Sequence, residues 1–429
     1  MTTATDMALL PRLLAGVADR PMNALASHLD LHGALPDLRR WAPEQIIGLL
    51  EQAGVRGRGG ASFPVATKMR AVTARRRPKV VVANGSEGEP ASKKDRVLLR
   101  EVPHLVLDGA AIAARAVGAR EAIIAISEHD DRGARGVALA LRERHEVRLR
   151  GEPRFELASV PERFISGQSS ALVNTLSGGP AKPTFGPRPF ERGVRNRPTL
   201  VQNVETLAHL ALIARHGADW FRQLGTPRDP GSTLVTISGA VASPGVYEIE
   251  HGMPLDELLN TAGVTDELTA VLLGGYFGCW LPATQIPSLR LAPEQLADHG
   301  ASLGCGVIVA LGSAACPVAE TTRIADYFAA QSAGQCGPCV NGLRAIADTV
   351  QQLATGTAAR TARWDLERWT SELPRRGACQ YPDGAVRFIA SALRVFADEF
   401  QDHARRGPCE RCSQRPTLPA PPPTAASIS

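Results

Sequence analysis

Residues 54–68 read G-V-R-G-R-G-G-A-S-F-P-V-A-T-K, so four glycines and two arginines precede an aromatic residue and a lysine. Glycine lets backbone N–H groups turn inward and approach an anion closely, and Arg56, Arg58 and Lys68 bring positive charge beside them. Such a stretch captures phosphate, although a tight surface loop with solvated arginines has the same composition. The apolar run 79–83 then leads into Asn84-Gly85-Ser86-Glu87-Gly88-Glu89-Pro90, an acidic turn at the place where open α/β sheets hold their ligands. One stretch offers phosphate donors, and the next offers carboxylates and an amide.

The second chemical signal is thiol. Cys336-Gly337-Pro338-Cys339 stands just before a helical pattern, and Cys379 follows about forty residues later. Closely spaced thiolates at a helix start suit an iron-sulfur cluster. Cys409-x-x-Cys412 lies beyond a final helix expected over 383–404, which would be roughly 30 Å long and carry the chain away from Cys379. That pair reads as a separate feature: half of a shared metal site, a redox pair, or two exposed thiols. Cys279, Cys305 and Cys316 sit in apolar surroundings and read as core residues. Two C-x-x-C pairs also permit zinc, but their wide separation fits a compact zinc ribbon poorly.

The elements that must position these groups alternate. A strand over 79–83, a helix over 103–117, a strand over 122–127, a helix over 132–144 and strands over 147–150 and 155–160 make parallel crossover units, hence an α/β layer structure. A helix over 43–53 leads into the glycine-rich stretch. Residues 167–170 open a short helix whose N-terminus could face the same ligand. The proline- and glycine-rich run 178–198 reads as a shaped loop along the pocket. From 231 a hairpin, a helix over 255–261 and a strand over 270–273 form a second, compact unit. Leu343, Ile346, Val350 and Leu353, then Ala385, Phe388, Ile389, Leu393 and Phe396, repeat at helical spacing and point to a small antiparallel bundle. Residues 413–429 are proline-rich without apolar periodicity and read as a disordered tail.

With 429 residues the chain is long enough for two to four domains. The hydrophobic share of 44% and charged share of 21% are those of a water-soluble protein, and the net charge of +5, without a dense basic block, argues against a nucleic-acid partner. No apolar run is long enough to span a bilayer, no signal pattern opens the chain, and eight cysteines suggest thiols kept reduced. The expected location is cytoplasmic, with no direct membrane insertion.

Several motifs together resemble one family. R-G-R-G-G-A-S-F-P-x-x-x-K, N-G-S-E-G-E-P-x-x-x-K-D-R, P-H-L-x-L-D-G and N-V-E-T-L at 203–207 look like the NADH- and FMN-binding flavoprotein subunit of respiratory complex I, a module shared with NAD-linked hydrogenases and formate dehydrogenases. The resemblance runs from about 45 to about 400. It implies a Rossmann-like FMN domain (43–228) after an N-terminal extension (1–42), a ubiquitin-like β-grasp domain (229–317), a helical iron-sulfur bundle (318–406) and a tail (407–429). It implies FMN on Gly57, Arg58, Gly59, Gly60, Ala61, Lys68, Asn84, Glu87, Gly167, Gln202 and Asn203. Phe63 would stack on the NADH adenine, and Glu89 would be the catalytic carboxylate near the nicotinamide. Cys336, Cys339 and Cys379 would ligate the cluster, 4Fe-4S with an outside ligand or 3Fe-4S, because the family's first cysteine is Ala333 here.

The activity implied is NADH dehydrogenase-like electron transfer, within a complex, to an iron-sulfur or ferredoxin-like partner. The chain departs from the pattern at Ser86, Gln168 and Ser169, where the family carries acids, and at Ala71 and Pro189 or Phe190, where it carries aromatics. A flavoprotein with a ferredoxin-like or dehydrogenase donor, and a non-catalytic scaffold of the same fold, are therefore the competing readings.

Overall fold

The computed structural model describes residues 10–147 and 151–419. Strands β1 (Val80–Gly85), β2 (Glu121–Ser127), β3 (Arg154–Val160) and β4 (Thr199–Asn203) form a parallel sheet in the order β3-β2-β1-β4. Both faces are covered, so the strands read as apolar runs with little alternation. Val81, Ala83 and Ile124 pack against the helices Pro43–Ala53, Val65–Thr73, Pro103–Val117 and Val204–Phe221, whereas Val80, Val82 and Ile123 face a thinner layer with Leu172 and Val173 of helix Ser169–Thr175. From β1 the chain winds through β2 to β3 on one side and returns to β4 on the other. The order reverses between β1 and β4, and such a reversal opens a crevice at the carboxyl ends of the strands.

A second sheet holds β5 (Ser232–Gly239), β6 (Gly245–Glu250), β7 (Leu268–Leu273), β8 (Cys279–Pro282) and β9 (Val307–Gly312) in the order β6-β5-β9-β7-β8, with β5 and β9 parallel at its centre. Helix Leu255–Ala262 covers one face through Leu255, Leu258 and Leu259. The other face carries Trp280, Val307 and Val309 into the core of the helical region, shared with Phe328, Tyr381, Phe388 and Ile389.

Helix Val65–Thr73 puts Lys68 on a helix, and β4, β8, β9 and helix Lys94–Glu101 add to the elements expected from the sequence. Of the strand expected over 147–150, residues 148–150 lie outside the described residues, and Val147 is the C-cap of helix Asp131–Glu146. The last long helix breaks at Phe396 (φ −109°), giving Tyr381–Val395 and Ala397–Arg406. The tail (407–429), expected to be disordered over 413–429, is docked as far as 419. Leu418 is buried, Glu320 accepts the N–H groups of Thr417 (2.6 Å) and Leu418 (3.1 Å), and Arg411 forms a forked pair with Glu399 at 2.6 Å. Residues 420–429 lie outside the described residues.

Candidate flavin and iron-sulfur sites

The crevice between β1 and β4 gathers most of the residues singled out above. Asn84, near the end of β1, donates to the Gly167 carbonyl (3.0 Å) and accepts the Ser86 hydroxyl (2.7 Å). Asn203, ending β4, caps helix Val204–Phe221 by accepting the Glu205 N–H at 3.0 Å. It also accepts Lys94 (3.2 Å) and donates to Asp95 (2.6 Å), so its amide is fully engaged and acts by position. Lys94 is buried between Asp95 (2.7 Å) and Glu205 (2.9 Å). Burial opposes its charge, but the two carboxylates prevail and raise its pKa. Glu205 in turn accepts Thr233 Oγ1 and the Leu234 N–H, both at 2.9 Å, which ties this network to the second sheet.

The glycine-rich stretch is a loop closed by the Gly57 N–H to the Phe63 carbonyl (2.9 Å). A Cβ on Gly59 would lie 3.3 Å from Asn203 Cβ, and Gly60 (φ +98°) lies beside Gly304 and Cys305. Ala61 is exposed at the tip, and Phe63 is 51% exposed. Arg58 departs from the phosphate role. Its backbone N–H donates to Thr206 Oγ1 (2.9 Å), and its buried guanidinium turns to the carbonyls of Pro230 and Ser232 and to Asp229 at 3.5 Å. Lys68 is the cation that faces the crevice floor. Its ammonium donates to the Val201 carbonyl, no carboxylate pairs with it among the described residues, and burial pushes its pKa down to about 8.

Two carboxylates occupy the acidic turn. Glu87 (φ +39°) folds back to accept Ser92 Oγ (2.6 Å) and the N–H groups of Asp95 (2.9 Å) and Arg96 (3.0 Å), so it caps helix Lys94–Glu101. Glu89 accepts the N–H groups of Ala91 (3.2 Å) and of Tyr276 in the second sheet's β7–β8 loop (2.8 Å). Desolvation pushes both carboxyls up to about 7, with Asp95 adding to the shift at Glu87. Cys305, expected to be a core residue, stands next to this carboxylate, because a Cβ on Gly275 would lie 2.7 Å from Glu89 Oε2 and 2.8 Å from Cys305 Sγ.

The helix start at 169 is not a free anion site. The Gln168 side chain accepts the N–H groups of Ser170 (2.7 Å) and Ala171 (2.9 Å) and closes it. Phe190 packs against the first core under Arg75, 5.3 Å away, and Ala71 lies on helix Val65–Thr73.

The donor set left over fits a flavin phosphate and ring. Gln202, buried beside Asn203, has an amide nitrogen with no hydrogen-bond partner. A buried amide without a partner costs about 1–3 kcal/mol unless a ligand satisfies it. Together with Lys68, which has no counter-charge among the described residues, and the glycine cradle, this leaves donors suited to a polar, anionic molecule.

Toward the bundle, Phe164 stacks edge-on with Phe277 (4.6 Å) and Tyr381 (5.7 Å). Beyond these rings lie Cys339, whose backbone N–H donates to the Cys336 carbonyl (3.1 Å), and Cys379, two residues before Tyr381. Burial, then the neighbouring Cys336, pushes the Cys339 thiol up to about 12, so loading a metal there must release protons. Ala333 is buried in the same cluster, where a first cysteine would stand. Cys316 and His403, which the sequence does not link to the last cysteine pair, meet Cys409 and Cys412 at a different place, with ligand atoms all within 4.8 Å of one another. The signal available was H-x5-C-x-x-C in the last stretch.

A doubly wound nucleotide crevice joined through a β-grasp sheet to a thiol-bearing helical bundle defines a class of flavin and iron-sulfur electron-transfer subunits. Residues 50–212 match the Nuo51 FMN-binding domain, 234–269 the SLBB domain, and 319–403 the NADH-ubiquinone oxidoreductase-F iron-sulfur binding region. The second F-type subunit of the NADH-quinone oxidoreductase of Rhizobium meliloti is 31% identical, over 93% of this chain and 99% of that protein. The mitochondrial NADH dehydrogenase (ubiquinone) flavoprotein 1 of Dictyostelium discoideum is 30% identical, over 82% and 78%. An NAD+-reducing [NiFe]-hydrogenase, in its H2-reduced state, superposes with a TM-score of 0.84 at 31% identity, covering 92% of this chain and 67% of that one. The chain belongs to the family of F-type subunits of NADH-quinone oxidoreductase.

Proposed function

We propose that this chain takes reducing equivalents from NADH onto FMN held between β1 and β4 and passes them, through a cluster on Cys336, Cys339 and Cys379, to an iron-sulfur or ferredoxin-like partner within a larger complex. The observation that carries the reading is the pair of donors left in the crevice, the Gln202 amide without a partner and the Lys68 ammonium without a carboxylate. FMN supplies hydride acceptance and one-electron release when bound, and the protein supplies position and electrostatics.

Lys68 neutralises the phosphate, and the loop at Gly57, Gly59 and Gly60 lets backbone approach it. Gln202 hydrogen-bonds the ring edge, while Asn84, Gly167 and Asn203 form the wall. Glu87 fixes the acidic turn by capping the helix behind it. Glu89 carries the carboxylate that meets the nicotinamide, and exposed Phe63 offers a face to the adenine. Phe164, Phe277 and Tyr381 keep water out of the space between crevice and thiols.

The domain limits that serve this reading are an extension to 42, then 43–228, 229–317 and 318–406. No helix among the described residues is long and apolar enough to cross a membrane, and the eight cysteines are unpaired, which supports a cytoplasmic location.

Purified under anaerobic conditions, the full chain should be yellow and bleach on addition of NADH. A second reading, with a ferredoxin-like or dehydrogenase donor, draws on Phe190 lying under Arg75 instead of presenting a free face to an adenine. Flavin that bleaches with reduced ferredoxin and not with NADH selects it. A colourless protein that takes up no FMN refutes both.

A further inference from the structure

We propose that Cys316, His403, Cys409 and Cys412 form a second metal centre, a structural zinc site separate from the thiols of Cys336, Cys339 and Cys379. The spacing of the ligand atoms is that of one tetrahedral ion. Cys412 Sγ lies 3.7 Å from Cys409 Sγ and 3.5 Å from Cys316 Sγ, and His403 Nε2 lies 3.5 Å from Cys316 Sγ and 3.9 Å from Cys412 Sγ. Zinc bonds of ~2.3 Å to sulfur and ~2.0–2.1 Å to nitrogen give tetrahedral edges of ~3.8 Å between sulfurs and ~3.6 Å between sulfur and nitrogen. Four of the six edges lie close to those lengths, and all six are within 4.8 Å. A multi-iron cluster separates its thiolates by its own body and fits this close set poorly.

The surroundings support a closed structural site. His403 Nδ1 faces the Ala354 carbonyl at 3.1 Å, which fixes the tautomer and aims Nε2 at the three sulfurs. Cys316 and His403 are buried, 3% and 1% exposed. Cys316 caps helix Pro317–Gln331, accepting the Ala319 N–H at 3.4 Å, and His403 lies in the last turn of Ala397–Arg406. The ligands thus come from three segments that no disulfide joins. Three thiolates and one divalent ion carry a net charge of −1, and Arg411, between Cys409 and Cys412 in the chain, ties the thiol loop down by donating to the Ser313 and Ala315 carbonyls at 3.3 Å and to Glu399 at 2.6 Å. Binding forms three metal–sulfur bonds and one metal–nitrogen bond and releases the three thiol protons to solvent, with no change of oxidation state. Donors of the Cys3His type suit zinc, with no open position for a substrate.

Metal analysis of the full chain should find one zinc per chain in addition to the iron of the cluster. In Cys412→Ser the zinc should fall to near zero while iron and flavin stay at wild-type levels. Cys412→His, which restores a ligand, should recover zinc. Wild-type protein grown with cobalt in place of zinc should show the ligand-field and thiolate charge-transfer bands of tetrahedral cobalt, a readout that needs no variant to fold. Wild-type chain without zinc, iron as the ion lost in Cys412→Ser, zinc unchanged in that variant, or cobalt-loaded protein without those bands would each overturn the assignment.

Discussion

The carboxylate of Glu89, in the turn after the first sheet's β1, accepts the backbone N–H of Tyr276 from the second sheet at 2.8 Å. The proposed nicotinamide-facing group is therefore aimed by a loop of another domain. Gly275 makes that loop possible, because its φ of +79° and the space beside Glu89 exclude a side chain. Gly275→Ala should displace the carboxylate and slow flavin reduction by NADH about 10²-fold, the scale of a catalytic group misplaced by an ångström. Stopped-flow bleaching, at flavin content equal to wild type, measures it.

The raised pKa of Glu89 has a sign. Its carboxyl titrates near 7 in the folded chain and near 4.5 when unfolded, so the folded state binds the extra proton between those values. That contribution to stability is full below about pH 4.5 and is lost as pH rises through 7. In flavin-free protein, Glu89→Gln should therefore fall less steeply in Tm than wild type over this window. Parallel melting curves for the two proteins would contradict the assignment.

Lys68 gives the opposite test at the phosphate end. Burial lowers its pKa to about 8, so the ammonium is present below that pH and disappears above it. FMN affinity should decline as pH passes 8. Lys68→Met, losing a charge-assisted hydrogen bond of about 1.5–3 kcal/mol, should bind FMN about 10- to 100-fold more weakly at pH 7. Titration of flavin fluorescence reads both effects, and Lys68→Arg should keep more affinity than Lys68→Met.

Lys94 is a stability residue. Lys94→Met would strand Asp95 and Glu205 as buried carboxylates and should cost about 3–5 kcal/mol. Adding Asp95→Asn and Glu205→Gln should recover part of the loss in denaturant unfolding.

With the cluster on Cys336, Cys339 and Cys379, Cys339→Ala should lose its iron. Ala333→Cys places a thiol in the buried position beside Cys336 and Cys339 and should raise iron occupancy. Iron per chain and the low-temperature paramagnetic resonance spectrum of the reduced protein decide both, and unchanged iron in Cys339→Ala would move the cluster elsewhere.

Much of the fold is legible in the sequence because strand and helix periods are local properties of the chain. Residues 79–83, 103–117 and 343–353 declare their elements through spacing alone. The β4 strand gives no such signal, because Thr199–Asn203 is short and follows a long proline-rich loop. Side-chain partners at long range are not legible. Arg58 in a glycine-rich loop has the composition of a phosphate ligand, yet Asp229, far along the chain, claims it. The same limit applies to Cys316, whose apolar neighbours suggest a core thiol. A helix unbroken to 404 would have carried the last cysteines away, but the chain bends at Phe396 and lets them return to Cys316 and not to Cys379.

The rings of Phe164, Phe277 and Tyr381 have a further consequence. Centroids 4.6 and 5.3 Å apart make a hydrocarbon partition between the crevice and the Cys379 thiol. In the proposed reading, an electron passing from the crevice to the thiols would cross this layer of packed rings, which offers few polar groups to reorient. The aromatic layer covers the thiols on the crevice side, while Cys336 and Cys379 keep part of their surface open to solvent, where a partner would meet them.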